Sequence, residues 1–390
     1  MRGCARHLSS SIADARRDAT THAPLPPHPM MKRLLLVTML VTGSCGSSAS
    51  LTFGAAGPWK EGYGAMNRRG IELALQEINA RPERAGAPLR IDFQDDEGSG
   101  QMASRIAQRF VDSKDVVAVV GHVNSGAMVA AAQVYDGHLA AVATTATSPA
   151  LTGISPWAFR IISSDSSNGN DIASFASRLG RSRAAILYEN NTYGRGLADA
   201  FRRAFVGQVV SMDPIGEGAD QPFEAYVSYL TLTKPDVVFI ASTEESGLAF
   251  LREARRQQLA ADLVGGDGWS GLSADTLRSQ GVYVGVPFTA EDPRPEAQRF
   301  VATFSAQFNM RPDNNAALAY DATLLLYSAA QKVGPDRTRI RDYLASLTAT
   351  TAYHGVSGPI YFRPDGDPVA QHVVMTQIDH GTLRVAQRAQ

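Results

Sequence analysis

The apolar positions of this chain switch repeatedly between strand-like and helix-like spacing. SLTFGAAGP (50–58) is a short apolar run ending in glycine. RRGIELALQEINA follows, with Ile71, Leu75 and Ile78 at helical spacing. LRIDFQDDEG alternates Leu89, Ile91 and Phe93, which predicts a strand with an acidic turn behind it. SRIAQRFVDSK predicts a helix, and DVVAVVGHVNSG a short buried strand running into a glycine-containing loop. SGAMVAAAQVYDGH predicts a second helix and LAAVAT another short strand. The order β-α-β-α-β-α-β is that of a parallel, doubly wound sheet.

The pattern then restarts. FASRLG closes a helix, RAAILYENNTYG gives a strand and loop, and GLADAFRRAF a helix. QVVSMDPIG is a strand, FEAYVSYLTLT a helix, and PDVVFIAST a strand with ESGLAFLREARRQQ as its crossover helix. DLVGGDGWS and GVYVGVPF are further strand–loop units, so a second sheet of the same class is expected over about 165–290. Two strongly periodic helices follow, RFVATFSAQFNM and AALAYDATLLLYSAAQKV. The tail reads as a hairpin in which IYF and HVVMTQID flank an Asp-Gly turn.

In sheets of this kind the loops at the carboxyl ends of the strands converge on one crevice. Here those loops are GHVNSG, ATTATSP, YENNTYG, IASTEES and GGDGW, and they form the candidate ligand surface. A cleft between two such sheets is a common place for a small molecule. ATTATSP carries several hydroxyls in a few residues. These either stiffen a loop, since Ser and Thr bond local backbone readily, or cradle a ligand.

Composition narrows the function. Charged residues are 19% and the net charge is -1, which gives no reason to expect nucleic acid as a partner. The 390 residues suffice for two domains. The two cysteines, Cys4 and Cys45, both precede the body of the chain, so no disulfide framework, zinc cluster or cysteine nucleophile is expected there and no cofactor is indicated. MKRLLLVTMLVTGSC, from Met31, has a basic start, an apolar stretch from Leu34 to Val41, then small residues up to Cys45. It is too short for a permanent span. TGSC resembles the lipobox of bacterial lipoproteins, which makes Cys45 the lipidated first residue of the mature chain, although Thr42 stands where a larger aliphatic residue is preferred. Plain secretion with cleavage near 48–50 is the alternative. Residues 1–29 have the composition of a disordered leader, and Met30 or Met31 gives a cleaner start. No later apolar run reaches about 18 residues, so the mature chain is expected to be soluble apart from its anchor.

The segments GPWKEGYG, RRGIELALQEINA, VVAVVGHVNSG, ATSPALT, DSSNGN, NTYGRGLADAF, PDVVFIAST and GGDGWS stand in the order and approximate spacing of one family. Through them the chain resembles the leucine/isoleucine/valine-binding proteins of bacterial ABC import, type I periplasmic binding proteins, over nearly all of residues 50–385. The resemblance implies two doubly wound lobes joined by a three-strand hinge. It divides the chain into a leader and signal (1–45), lobe one (50–164 plus 291–356) and lobe two (165–290 plus 357–385).

The resemblance also implies a site. Ser125 matches the serine that contacts the ligand carboxylate, although it could merely cap the helix it begins. Ala146 and Thr147 match the pair holding the charged backbone end of the ligand, with Thr147 preferred over Thr144 or Thr145. Asp267 matches the acid that pairs with the α-ammonium, one methylene shorter than the glutamate of the familiar member. Tyr193 and Tyr63 match cleft tyrosines of lobes two and one. Asp165 matches a hinge residue whose main chain touches ligand, its side chain being free to cap the next helix. Thr243 stands where a pocket tyrosine is found, which leaves Trp269 as a candidate to replace the lost aromatic. His122 is expected to pack within its loop rather than to bind ligand.

The implied function is capture of a free amino acid for delivery to an ABC permease, by a monomer in the periplasm or cell envelope; a branched-chain or other apolar ligand is the first expectation, with aromatic and small polar amino acids left open. The alternative is a sensor of the same fold for an amide or amino acid. An enzyme is disfavoured: no G-x-S-x-G elbow occurs, and no G-x-G-x-x-G follows the first strand.

Overall fold

The computed structural model describes residues 51–81 and 88–386; Cys45 and the rest of the leader lie outside them. The first sheet contains β1 (Thr52–Gly57), β2 (Arg90–Asp95), β3 (Val116–Gly121), β4 (Ala140–Ala143) and β5 (Ala158–Arg160), all parallel, in the order β2-β1-β3-β4-β5. The intervening helices are α1 (Gly62–Ala80), α2 (Gly100–Asp112) and α3 (Ser125–Tyr135). All six residues of β3, VVAVVG, are buried, as expected of a central parallel strand covered on both faces. Helix α2 buries Ala103, Ile106, Ala107 and Phe110, one stripe at three- and four-residue spacing.

The chain then enters the second lobe through α4 (Asp165–Arg178). β6 (Arg183–Glu189), α5 (Thr192–Ala204), β7 (Gln208–Ile215), α6 (Glu224–Thr233), β8 (Val237–Ala241), α7 (Glu244–Arg256), β9 (Asp262–Gly265) and β10 (Tyr283–Val286) follow. A 3-10 segment, Asp267–Ala274, separates the last two strands. Helices α8 (Pro295–Phe308), α9 (Asn314–Val333) and α10 (Arg337–Ala345) return to the first lobe, where Phe300, Phe304, Leu325, Ile340 and Leu344 join the core around Phe53, Val120 and Val142. Sixteen of the twenty residues of α9 are buried, so it is a core helix rather than an amphipathic one. It lies close against α1: a Cβ on Gly70 would sit 2.1 Å from the carbonyl oxygen of Ala316, so only glycine permits this approach.

The tail differs from the expected single hairpin. IYF begins in β12 (Gly358–Ile360), which pairs with β11 (Tyr353–Gly355), while HVVMTQID enters β13 (Val374–Asp379), which pairs with β14 (Thr382–Val385) and β10. The turn of the second hairpin is His380–Gly381, both residues having positive φ. The Asp-Gly turn is closed by a short bridge between Phe362 and Pro368 and by backbone bonds from Arg363 N to Asp367 O and Gly366 N to Arg363 O, without extending into a hairpin, and the Asp367 side chain reaches the buried Arg160. The expected boundary at 357 also shifts, because Ile360 and Phe362 are buried in the core of the first lobe and the chain rejoins the second sheet only at β13. The second sheet has the order β14-β13-β10-β9-β8-β6-β7, parallel but for the two antiparallel strands at one edge.

Each sheet has an apolar cluster on each face. The chain passes between the lobes three times, near 161–164, 287–294 and 361–373. The carboxyl ends of β3, β6, β8 and β9 and the amino ends of α3, α5, α7 and the 3-10 segment meet in the cleft between the lobes.

Candidate functional site

A cavity of about 180 Å³ occupies the cleft, with walls from both lobes. Its residues sit where strands end and helices begin, so first-turn amides without intrahelical partners surround it. Among the described residues that line it there is no lysine or arginine, and the carboxylates are Asp267 and Glu217.

Ser125 opens α3 and lines the cavity, 3% exposed. Its Oγ accepts hydrogen bonds of 3.1 Å from both Thr147 N and Ser148 N, which leaves its own proton free to donate. The loop that supplies these amides is held from behind. Arg160 donates to the carbonyls of Thr147 and Ser148 at 2.9 and 2.8 Å and to Asp367 Oδ1 at 2.6 Å, with both charged residues buried. Desolvation depresses the Arg160 pKa against the pull of Asp367. The pair therefore positions the hydroxyl-rich loop rather than meeting ligand itself.

Asp267 starts the 3-10 segment, 5% exposed, with Oδ1 accepting a 3.1 Å bond from the Tyr193 hydroxyl. That hydroxyl accepts in turn from Gly268 N at 3.2 Å. Burial pushes the Asp267 carboxyl up to about 6, with the Tyr193 and backbone bonds opposing it. Burial raises the Tyr193 phenol as well, and the Asp267 charge adds to the shift. A carboxylate held this way, with no cation beside it in the cavity wall, is a place for a positively charged group.

Tyr63, at the start of α1, lines the cavity from lobe one, its hydroxyl accepting from Asn124 Nδ2 at 2.9 Å. Thr243 lines it from the amino end of α7, and its Oγ1 and N both reach Oε1 of the buried Glu189, at 2.7 and 3.1 Å. Behind the lobe-one wall, His122 is fully buried, with Nδ1 2.6 Å from Asp96 Oδ2 and Nε2 3.0 Å from the Tyr135 hydroxyl. Asp96 Oδ1 also accepts from Gly98 N, so this chain of groups fixes two wall loops, and His122 packs within its loop as expected.

Five of the eight expected residues thus meet at the cavity: Tyr63, Ser125, Tyr193, Thr243 and Asp267. Ala146, Thr147 and Asp165 lie behind its wall, each fully buried. Thr145, set second to Thr147 in the sequence reading, lines the cavity instead, its Oγ1 donating to the carbonyl of Val123 at 3.2 Å. Thr144 accepts from Asn67 and is buried. Thr147 Oγ1 and both carboxylate oxygens of Asp165 make no hydrogen bond of standard geometry among the described residues, although the Thr147 and Asn168 side chains lie close enough to Asp165 to favour its ionised form. Ser164, not Asp165, caps α4 by accepting from Ser166 N. Burial and the nearby Asp267 charge raise the Asp165 carboxyl well above its ordinary range.

Trp269 does not replace the missing aromatic. It is fully buried in the second lobe, donating from Nε1 to Ser242 Oγ at 2.9 Å, and a Cβ on Gly265 would come within 2.3 Å of its ring. Wall residues that escaped the sequence reading include Glu217, two residues past the end of β7, and Asn315 in α9. Asn315 donates to Ser270 Oγ across the lobes at 3.2 Å. Its signal was the polar pair at the start of an otherwise apolar helix.

A family model described as "Periplasmic binding protein" matches residues 53–382. An "Amino acid binding protein" of Pseudomonas aeruginosa is 28% identical over 363 residues, covering 89% of this chain and 95% of that protein. A leucine-, isoleucine-, valine-, threonine- and alanine-binding protein of the same organism is 27% identical, covering 78% and 83%. Among solved structures, an ABC transporter substrate-binding protein of Desulfitobacterium hafniense in complex with leucine superposes with a TM-score of 0.75 at 28% identity, covering 86% of this chain and all of that one.

Proposed function

The chain belongs to the periplasmic binding protein family, and from that premise we propose that it captures a free L-amino acid outside the cytoplasm, in the interlobe cavity, and delivers it to an ABC permease. The supporting observation is the opposition of two kinds of group across one small space. Asp267, steadied by Tyr193, offers negative charge at one place, and the Ser125 hydroxyl with the first-turn amides of α3 offers donors at another. A zwitterion satisfies both at once. Its carboxylate takes the donors and its ammonium the carboxylate, so neither buried charge is left alone. The relatives whose names state an amino-acid ligand support the same reading.

The role is binding rather than catalysis. Because the donors and Asp267 lie on different lobes, a ligand that touches both favours the closed arrangement over the open one. The protein acts as a monomer with one site per chain, tethered by lipid on Cys45; mass spectrometry of the mature amino terminus tests the tether, and an unmodified terminus beyond Cys45 refutes it. A thermal-shift and calorimetric screen of amino acids, amides, sugars and short organic acids tests the ligand. Binding of free amino acids, lost when the α-amine is acetylated, is the expected result; binding of sugars or neutral amides alone would overturn the reading.

A further inference from the structure

Resting on the amino-acid reading above, we infer that the ligand's own side chain is a hydrogen-bond donor and preferentially a cation, and that Glu217 is the residue that selects for it. Once Asp267 and Ser125 take the ligand's charged backbone, the rest of the wall must receive its side chain. An apolar side chain gains about 1.5–3 kcal/mol from full burial, and only where the wall is apolar. Among the described lining residues Val123 is the one aliphatic side chain. Both tyrosines have their hydroxyls engaged, and the remaining wall is built of Asn, Thr, glycine and Glu217. Most of these polar groups are already paired within the protein, but the Glu217 carboxylate has no side-chain partner among the described residues, and seating leucine there would strip water from it and return nothing.

The charge around the cleft points the same way. Glu217 stands two residues past the end of β7 in lobe two, exposed and lining the cavity. The two lobes also bring acids together. Desolvation raises Glu61 of lobe one, and Glu245 of lobe two adds to the shift. Desolvation likewise raises Glu244 of lobe two, with Asp313 of lobe one contributing next. The nearby cations are committed elsewhere or lie outside this cavity. Lys60 pairs with Asp95 and Glu97, while Arg69 and Arg311 line a separate cavity of about 440 Å³ together with Glu244 and Asp313, and Arg311 also pairs with Glu291. The ligand cavity itself, with Asp267 and Glu217 as its carboxylates and no lysine or arginine among its described lining residues, favours a cationic ligand over an acidic one.

The test is calorimetry on the whole mature chain with L-lysine, L-arginine, L-glutamine, L-leucine and L-glutamate, at low and high salt, for wild type and Glu217→Gln. Glu217 is exposed, so the variant keeps the fold. The expected result is tighter binding of lysine or arginine than of leucine or glutamate, weakening with salt. Glu217→Gln should lower the lysine-to-glutamine affinity ratio by up to about fivefold, the scale of a single solvent-accessible ion pair. Leucine binding more tightly than every polar amino acid would overturn the inference and leave amino-acid capture standing. An unchanged lysine-to-glutamine ratio in the variant would remove Glu217 as the selector and overturn the inference too. Failure of every amino acid to bind would overturn both.

Discussion

Asp267→Asn separates the two things its carboxylate does. In the empty protein the ionised carboxylate is a liability. Burial lifts its pKa from 3.8 to about 6, and at about 1.4 kcal/mol per pKa unit the charged form costs about 3 kcal/mol at neutral pH. The folded-state pKa lies above the unfolded one, so the stability this group contributes is complete below about pH 4 and is lost as pH rises through about 6. Asn keeps an acceptor for the Tyr193 hydroxyl, 3.1 Å away, and removes the charge. The ligand-free variant should therefore be more stable than wild type at pH 8, by up to about 3 kcal/mol, with the advantage closing at pH 4. Binding should move the other way. Removing a buried charge partner costs roughly 2–5 kcal/mol, a fall in affinity of about 30-fold or more. Urea melts of the free proteins at pH 4 and 8, with calorimetry at pH 7.5 using the tightest amino acid found in the screen, check both halves. A variant that binds as tightly as wild type removes Asp267 from the site. A variant less stable than wild type at pH 8 refutes the burial argument, since the ionised carboxylate would then be contributing stability.

Thr147→Val keeps shape and deletes a buried hydroxyl whose polar neighbour is the Asp165 carboxyl, so the fold should hold with little loss of stability; a fall in affinity would show that the ligand or closure uses Oγ1, and unchanged affinity would exclude it. Asp367→Asn leaves the buried Arg160 without its counter-charge and should destabilise by about 3 kcal/mol, read as a lowered urea midpoint; an unchanged midpoint would mean that water compensates the guanidinium. Glu244 is pushed up to about 7 by burial and by Asp313 and Glu245, so its contribution to stability is complete below about pH 4.5 and is lost progressively up to about 7. Glu244→Gln should flatten the decline in stability of the ligand-free protein between about pH 5 and 7, and an unaltered slope would refute the assignment.

Periodicity and turn chemistry carried much of the fold in the sequence itself. The apolar runs of β1, β3 and β8 and the three-to-four spacing in α1 and α2 are local signals, because a parallel strand buried on both faces and a helix with one apolar stripe each have their own pattern. The loops that form the cavity were also legible, since the carboxyl ends of parallel strands must converge. Other features had no such signal. Strand β5 is three residues long, and α10 shows only Ile340 and Leu344 as an apolar pair among charges.

The tail hairpin was misread because an Asp-Gly turn looks the same whether its flanks pair or part. Asp367 goes to Arg160, more than two hundred residues earlier, and nothing local announces that partner. The same limit governs the site. Residue types and order single out Ser125 and Asp267. Whether Thr145 or Thr147 faces the cavity depends on which hydroxyl the folded loop turns inward, and that follows from Arg160 holding the carbonyls of 147 and 148 from behind. Trp269 could have lined the cavity until Gly265 is seen to leave room for its ring in the core. Glu217 and Asn315 reach the cavity from separate lobes. A sequence carries the preferences of each segment for itself, whereas a binding site is a set of distances between segments, and those are set only when the cores on both faces of each sheet have packed.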